Sequence, residues 1–322
     1  MMDRICIILV NWNGKKDTLE CLDSLMKVEY SRFTVIVVDN GSRDGSVAAI
    51  RGAYPHIPIF ETGENLGFAG GNNVGISWAL SKPFPWICLL NNDTVVDPGF
   101  LKAFMQAAKE QPKAKILGAK ILRYNDPARI DHLGGQWNLE RAEFESLASG
   151  ELDNVFYTEM QPVDYVCGAA LLMHRSVPES IGLLEPRFFL FWEETDFCFR
   201  AKRKGFETWT APAAKIWHKV SASFTGGKPH CHYFWWRSRL LWLERNLPER
   251  EREQLMRQRI RPELLKTLRH YLLRSSQMLL SRLLGQSPTA ERRKKIKRLK
   301  AGLAGALDYY RGKFGNCPKW IA

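Results

Sequence analysis

The chain has 322 residues, enough for one large α/β domain or for a domain with an appendage. Hydrophobic residues make up 45%, which fits a folded globular protein and speaks against a largely disordered chain. The formal net charge of +13 points to an anionic partner: nucleotide phosphates, nucleic acid or an acidic lipid surface. The seven cysteines (Cys6, Cys21, Cys88, Cys167, Cys198, Cys231 and Cys317) are scattered, odd in number and never spaced as CxxC. Neither a disulfide framework nor a zinc knuckle is suggested, and a reducing cytoplasm fits best. The first apolar run, Ile5–Val10, is too short for a signal-peptide core. No uncharged apolar stretch reaches the roughly 18 residues of a spanning helix, so membrane contact is expected to be peripheral.

Up to about residue 122 the pattern alternates. Ile5–Val10 reads as a buried strand, followed by Leu19, Leu22, Leu25 and Met26 at helical spacing. Phe33–Val38 is a second strand, stopped by Asp39-Asn40-Gly41-Ser42, and a helix is expected from near Asp44. Ile57–Glu61 is a weaker strand. The Gly-rich segment Asn65–Asn73 opens an amphipathic stretch running to about Leu80. Trp86–Leu90 is a fourth strand ending at Asn91-Asn92-Asp93, and Pro98 sits where a helix would start. Such alternation predicts a mostly parallel sheet with helices on its faces. Ligands of such sheets bind outside the carboxyl ends of the strands, where these polar clusters gather.

Beyond residue 122 the alternation fades. Ile130–Trp137 reads as a turn or hairpin, 140–160 as a polar loop and Val163–His174 as a strand. Glu193–Lys204 fits a helix stopped by Gly205, and Thr208–Lys219 two short strands around Pro212. His230–Asn246 is an aromatic, basic helix halted by Pro248. Residues 263–284 predict an amphipathic helix with Leu264, Leu265, Leu268, Leu272, Leu279 and Leu283 on its apolar side and Lys266, Arg269, Arg274 and Arg282 among them. The run Arg292–Lys295 follows, so much of the net charge lies in the tail.

Several residues carry chemistry, each beside a plainer alternative. Asp93, at the end of a strand, can hold a divalent cation bridging diphosphate oxygens, or Asn91-Asn92-Asp93 can simply cap the next segment. Asp39 can accept a hydrogen bond from a base or ribose, or shape an Asx-turn. The Asn65–Asn73 segment offers backbone N–H groups to an anion at a helix start, yet matches neither the Walker A pattern nor GxGxxG. Glu193, Glu194 and Asp196 crowd together after Phe188, Phe189, Phe191 and Trp192. Repulsion and aromatic walls favour a raised pKa for one of them, as a general base requires, while acidic residues also suit a helix start. His218 gains weight only if it converges on Asp93.

Taken in order, these motifs resemble the inverting family 2 glycosyltransferases with the A-type nucleotide-sugar fold, particularly a rhamnosyltransferase-like bacterial branch. The resemblance rests on Val10-Asn11-Trp12-Asn13, Val38–Ser46, Asn65–Asn72, Leu89–Asp93, Gly168-Ala169-Ala170, Trp192–Asp196 and Trp217-His218, across roughly residues 3 to 245. It implies a nucleotide-sugar donor, with Asp39 on the pyrimidine base beside Asn11 and Asn13. Asn40, Asn65, Gly67, Asn72, Asn91 and Asn92 belong to the same donor-binding motifs. Asp93 matches the last aspartate of the family's DxD motif. Asn91 replaces the first, which implies a weaker Mg²⁺ or Mn²⁺ site or one relying more on His218. Glu194 takes the position of the base, with Glu193 and Asp196 beside it, and Arg237 that of a diphosphate contact. One in-line displacement, with Glu194 taking the acceptor proton, would invert the anomeric centre.

The resemblance also implies domain limits and partners. A catalytic domain is expected over 1–246, divided into a nucleotide-sugar-binding half (1–122) and an acceptor half (123–246). A basic helical extension follows over 247–322. The acceptor would be a polysaccharide or lipid-linked glycan of the cell envelope, lipopolysaccharide included. The extension would hold the enzyme on the anionic inner face of the cytoplasmic membrane, or pack back as a helix pair. The charge and Trp235, Trp236 and Trp242 also raise a nucleic-acid-binding protein, but no recognised motif supports it and the carboxylates oppose it. A nucleotidyltransferase would want a basic Gly-rich loop near the N-terminus, which Asn11–Lys16 does not supply. A non-catalytic relative is disfavoured by Asp39, Asp93, Glu194 and His218 standing together.

Overall fold

A computed structural model of the protein describes residues 3–219, 227–285, 287 and 289–321. The first elements are β1 (Ile5–Asn11), α1 (Lys15–Leu25), β2 (Phe33–Asp39), α2 (Ser46–Ala53), β3 (Ile59–Glu61), α3 (Gly67–Leu80) and β4 (Trp86–Asn91). They reproduce the alternation read from the sequence. Next come β5 (Thr94–Val96), α4 (Phe100–Glu110), β6 (Ala114–Arg123), β7 (Asp126–His132), β8 (Gly135–Asn138) and β9 (Glu143–Ser146). β10 (Ala170–His174), α5 (Ser176–Ile181), α6 (Glu193–Arg203) and β11 (Glu207–His218) complete the sheet region. The chain ends in α7 (Pro229–Asn246), α8 (Glu249–Leu255), α9 (Arg261–Leu283) and α10 (Ala290–Tyr310).

These elements form two compact units. The first comprises the described residues of Met1–Trp137, Phe144–Pro186 and Glu194–Ser221, the second those of Asn138–Glu143, Arg187–Glu193 and Ala222–Ala322. α7, expected with the catalytic half, lies in the second unit with the C-terminal helices.

In the first unit one sheet has the order β3-β2-β1-β4-β10-β6-β11-β5, with β7 paired to β6 off this path. β1, β2, β3 and β4 run parallel. Their continuous apolar runs suit strands buried on both faces. One face packs Ile7, Leu9, Val37 and Cys88 against α1, α2 and α4; the other packs Ile8, Val38, Ile87 and Leu89 against α3, α5 and α6. α3 is glycine-rich, a composition that costs about 1 kcal/mol per glycine relative to alanine. Close approach explains it: a Cβ on Gly75 would lie 2.5 Å from Ile8 Cγ2, and one on Gly71 2.8 Å from Val10 Cγ1.

The second half of the sheet departs from the expectation. β10 runs antiparallel to both β4 and β6, so the sheet is mixed. Only Ala170–His174 of the expected Val163–His174 strand forms a named strand. Thr208–Lys219 is one strand, not two, with its register shifted between Ala211 and Lys215. Pro212 cannot donate to the ladder, so the strand bulges around it and resumes. The 140–160 loop carries β9 and a 3-10 turn at Val155–Tyr157. Because β6 lies parallel to β4 through β10, and β11 parallel to β6, Asn11, Asp39, Asn91, Arg123 and His218 all end at one sheet edge.

The second unit centres on α7 and α10. Gly302 and Gly305 let α10 close on α7, since a Cβ at either would collide with Trp236 or with the Tyr233 carbonyl. The strap Arg187–Glu193 lies against α7. Ser238 Oγ donates to the carbonyls of Phe188 (3.2 Å) and Leu190 (3.0 Å), and Phe189 stacks on Phe234 at 5.1 Å. Phe189, Phe191 and Trp192 take φ values of 61°, 65° and 73°, a conformation bulky residues adopt only under tertiary constraint.

α9 is amphipathic as expected, and its exposed residues show which side faces out. Its half-buried stripe is Leu264, Thr267, Tyr271, Arg274, Ser275, Met278 and Ser281. The opposite side shows Leu265, Leu268, Leu272, Leu279 and Leu283 to solvent, Leu283 being 75% exposed. The apolar side expected from the periodicity is thus the outward one, apart from Leu264.

Candidate active site

The carboxyl edge of the sheet is organised from the inside by Asn11. Its side-chain N–H₂ donates to Asp39 Oδ1 (2.8 Å) and Ser42 Oγ (3.0 Å), and its Oδ1 accepts from Thr18 Oγ1 (2.7 Å). Asp39 Oδ2 accepts from the Ser42 N–H at 2.9 Å. Asn11 is therefore buried scaffolding, and Asp39 a buried, oriented carboxylate whose oxygens keep further lone pairs for a ligand. Asn13 sits at φ 52° and accepts from the Arg43 N–H at 2.8 Å, on a loop where Trp12 is exposed. Asn92 turns inward, donating to Thr18 Oγ1 at 2.8 Å.

The Gly-rich segment is also held from inside. Asn40 Nδ2 donates to the Gly67 carbonyl at 2.9 Å, and Asn40 Oδ1 accepts the Leu66 N–H at 3.1 Å. The Gly67 N–H goes to Asn65 Oδ1 at 2.9 Å, and Asn72, buried, donates to the Phe68 carbonyl at 3.0 Å. Side chains thus occupy the N–H groups of Leu66 and Gly67, two of those the segment could offer an anion. What the segment delivers is Phe68, whose ring lies against Gly168; a Cβ there would sit 2.9 Å from Phe68 Cζ and 4.0 Å from Glu194 Cβ.

Asp93 and His218 do converge. Strand pairing sets His218 opposite Thr94, and its Nε2 lies 3.2 Å from Asp93 Oδ1 and 3.4 Å from Asn91 Nδ2. On the far side Nδ1 lies 3.5 Å from Asp131 Oδ2. Burial opposes charge on this imidazole, but Asp131 and Asp93 outweigh it and raise His218 to about 9. Asp131 was not among the expected site residues; its only sequence signal is its place in the Ile130–Trp137 hairpin.

An imidazole nitrogen and a buried carboxylate oxygen are a donor set that divalent cations accept. His218 Nε2 and Asp93 Oδ1, 3.2 Å apart, present such a pair, so the residues fit a cation. Among the described residues no group of three or more His, Cys, Asp or Glu surrounds one point.

At the start of α6 the three carboxylates separate in role. Asp196 is buried and accepts from Arg200 Nε at 2.7 Å, while Arg200 also donates to the carbonyls of Ile181 (2.6 Å) and Leu183 (2.7 Å). It is an interior anchor. Glu193 is buried and closes the aromatic strap. Glu194 is half-buried as a residue, but its Oε2 is sealed from solvent and has no hydrogen-bond partner in the structure. Burial raises its carboxyl to about 7, against the N–H groups of Glu194 and Thr195, which act to lower it.

Arg237 is placed elsewhere than expected. It is buried within the helical unit, with its guanidinium over Tyr233 and Phe234 and its Nη2 donating to the Gly315 carbonyl at 2.6 Å. The rings and the Gly315 carbonyl enclose this guanidinium, in place of the expected diphosphate.

The mixed α/β sheet with helices on both faces is the A-type nucleotide-sugar transferase fold. The chain belongs to Glycosyl transferase family 2, whose model matches residues 6–177, and it is a glycosyltransferase. It is 25% identical over 284 residues to an N-acetylglucosaminyl-diphospho-decaprenol L-rhamnosyltransferase of Mycobacterium tuberculosis, covering 75% of this chain and 89% of the relative. It is 27% identical over 210 residues to the low-salt glycan biosynthesis hexosyltransferase Agl10 of Haloferax volcanii, 63% of each. Among solved structures, the mannosyltransferase PcManGT of Pyrobaculum calidifontis, in complex with GDP-Man and Mn²⁺, superposes with TM-score 0.57 at 14% identity. That match covers 97% of this chain and 88% of the mannosyltransferase. S. aureus TarS 1-349 with UDP-GlcNAc gives TM-score 0.56 at 14% identity, covering 96% and 92%. These structures share the fold.

Proposed function

We propose that the protein transfers a sugar, with inversion, from a nucleotide-diphospho-sugar to a hydroxyl of a lipid-linked or polysaccharide acceptor in cell-envelope glycan synthesis. The observation that carries this is Glu194: a carboxyl raised by burial to about 7, with its Oε2 sealed and unpartnered, beside Gly168 and Phe68 in the same unit as Asp39 and Asp93. Asp39 takes the base or ribose. Glu194 accepts the acceptor's hydroxyl proton as that oxygen attacks the anomeric carbon from the face opposite the nucleotide. Asp93 and His218 would hold a divalent cation, Mg²⁺ or Mn²⁺, which when bound neutralises charge developing on the departing diphosphate. The mycobacterial relative, by its name, adds L-rhamnose to a diphospho-decaprenol-linked sugar, which favours dTDP-rhamnose as donor.

A donor panel tests this reading. Slow hydrolysis of dTDP-rhamnose, UDP-sugars and GDP-sugars is compared with Mn²⁺, Mg²⁺ or EDTA. One donor class turned over with metal and not with EDTA is the expected result. A folded protein that binds none of them under any condition overturns it.

The same reading places the enzyme in the cytoplasm, on the inner face of the anionic membrane. Among the described residues no helix is long and apolar enough to cross a membrane. The outward leucines of α9, with Lys266 and Arg269 beside them, suit a helix lying in the interface. Leu272→Asp with Leu279→Asp touches no core, and is expected to weaken sedimentation with phosphatidylglycerol vesicles by about tenfold per leucine. Unchanged sedimentation removes α9 from the contact.

A further inference from the structure

The face of the sheet that carries α6 holds an arrangement the transfer chemistry does not use. Lys120 on β6 and Lys215 on β11 are direct register partners. Like charges at opposed positions destabilise a strand pair, and Lys120 is also buried. One carboxylate answers both: Asp153 Oδ1 accepts from Lys120 Nζ at 2.6 Å and Oδ2 from Lys215 Nζ at 3.0 Å. Two ammonium groups around one carboxylate leave an excess positive charge. An open cleft of about 370 Å³ lies over this triad, lined also by Asn154, Val155, Thr158, Pro212 and Ala213. An anion is the complementary occupant.

The next residues add a second requirement. Asn154 Oδ1 accepts the Phe156 N–H at 2.9 Å and caps the short turn, which holds Val155 and Phe156 outward at 77% and 84% exposure. A cationic cavity and an apolar tip are thus joined within a few residues. The chemistry that satisfies both is an anion attached to a hydrocarbon chain. We propose that this cleft binds the phosphate of a phosphate-linked lipid acceptor, with Val155 and Phe156 against its chain. The assignment rests on the transferase reading above. Lys215 lies three residues before His218 on β11, roughly 10 Å along the strand, so an acceptor anchored here extends towards the sheet's carboxyl edge.

Calorimetry on the full chain tests it, with decyl phosphate, inorganic phosphate and phosphatidylglycerol vesicles as probes. Lys215→Met leaves the Lys120–Asp153 pair intact and removes one of two opposed charges, so the variant should fold. It is expected to weaken decyl phosphate and inorganic phosphate at least tenfold. Phe156→Ser should weaken decyl phosphate severalfold and leave inorganic phosphate unchanged. Failure of both probes to bind, or equal binding to Lys215→Met, overturns the site. Indifference of decyl phosphate to Phe156→Ser makes it a free-anion site and overturns the lipid assignment. Vesicles that displace decyl phosphate through Lys215 overturn the acceptor in favour of a bilayer headgroup. Donor hydrolysis by the same wild-type protein separates the two readings: if it persists, only the acceptor site falls.

Discussion

Replacing Glu194 with glutamine should abolish sugar transfer, by about 10³-fold or more, while raising the melting temperature by a few degrees at neutral pH. The two effects share one cause. Burial raises the folded carboxyl to about 7 from its ordinary 4.5, so the folded state binds this proton more tightly than the unfolded chain does. Stability therefore falls as pH rises from about 4.5 through about 7, and the loss persists above that range. Glutamine keeps the shape and removes the charge, so the variant gains most above pH 7 and nothing below about 4.5. Transfer by the wild type should rise with pH through about 7 and then level, since only the ionised carboxylate accepts a proton. The control is Asp196→Asn, which breaks the contact to Arg200 and should lower the melting temperature. Activity that survives Glu194→Gln would dismiss Glu194 as the base.

Asp93→Ala should remove metal-dependent donor turnover, by about 100-fold or more, with a signature in His218. In the wild type the raised imidazole contributes stability that is fully present below about 6.5 and lost as pH rises through about 9. Removing Asp93 leaves Asp131 as its acidic partner, so the variant should be destabilised more at pH 6 than at pH 9.5. Binding of Mn²⁺ to the wild type with donor present should strengthen with pH, because ligation releases the proton on His218. Manganese titrations with and without donor, at both pH values, measure this. Full turnover in Asp93→Ala, or in EDTA, would remove Asp93 from the metal site.

The first half of the fold was legible because strands buried on both faces leave continuous apolar runs, and Asp39-Asn40-Gly41 and Asn91-Asn92-Asp93 stop them abruptly. The strand expected over Val163–His174 is longer than β10 because an apolar run does not show where its ladder begins. β5, three residues long, leaves too short a pattern to read. The period of α9 predicted a leucine stripe, but periodicity cannot say which stripe faces a neighbour. In the site, Asp39, Asp93 and His218 were legible as polar strand ends. Asp131 was not, because its meeting with His218 depends on how β7 adds to β6. Arg237 shows the converse limit: a basic residue on an aromatic helix reads the same whether it meets a ligand or lies enclosed by rings.

The left-handed aromatics of the strap bear on the order in which the molecule can assemble. Phe189, Phe191 and Trp192 have a backbone conformation that their own side chains oppose, and its supports (Ser238, Phe234 and Trp242) come from α7, about 45 to 50 residues downstream. On a ribosome, the parallel strands can pair as they emerge, but the strap cannot settle until α7 has followed. The stretch leading directly into Glu194 is thus among the last to take shape. A chain truncated before α7 should retain much of its sheet and yet lack a fixed lead into Glu194.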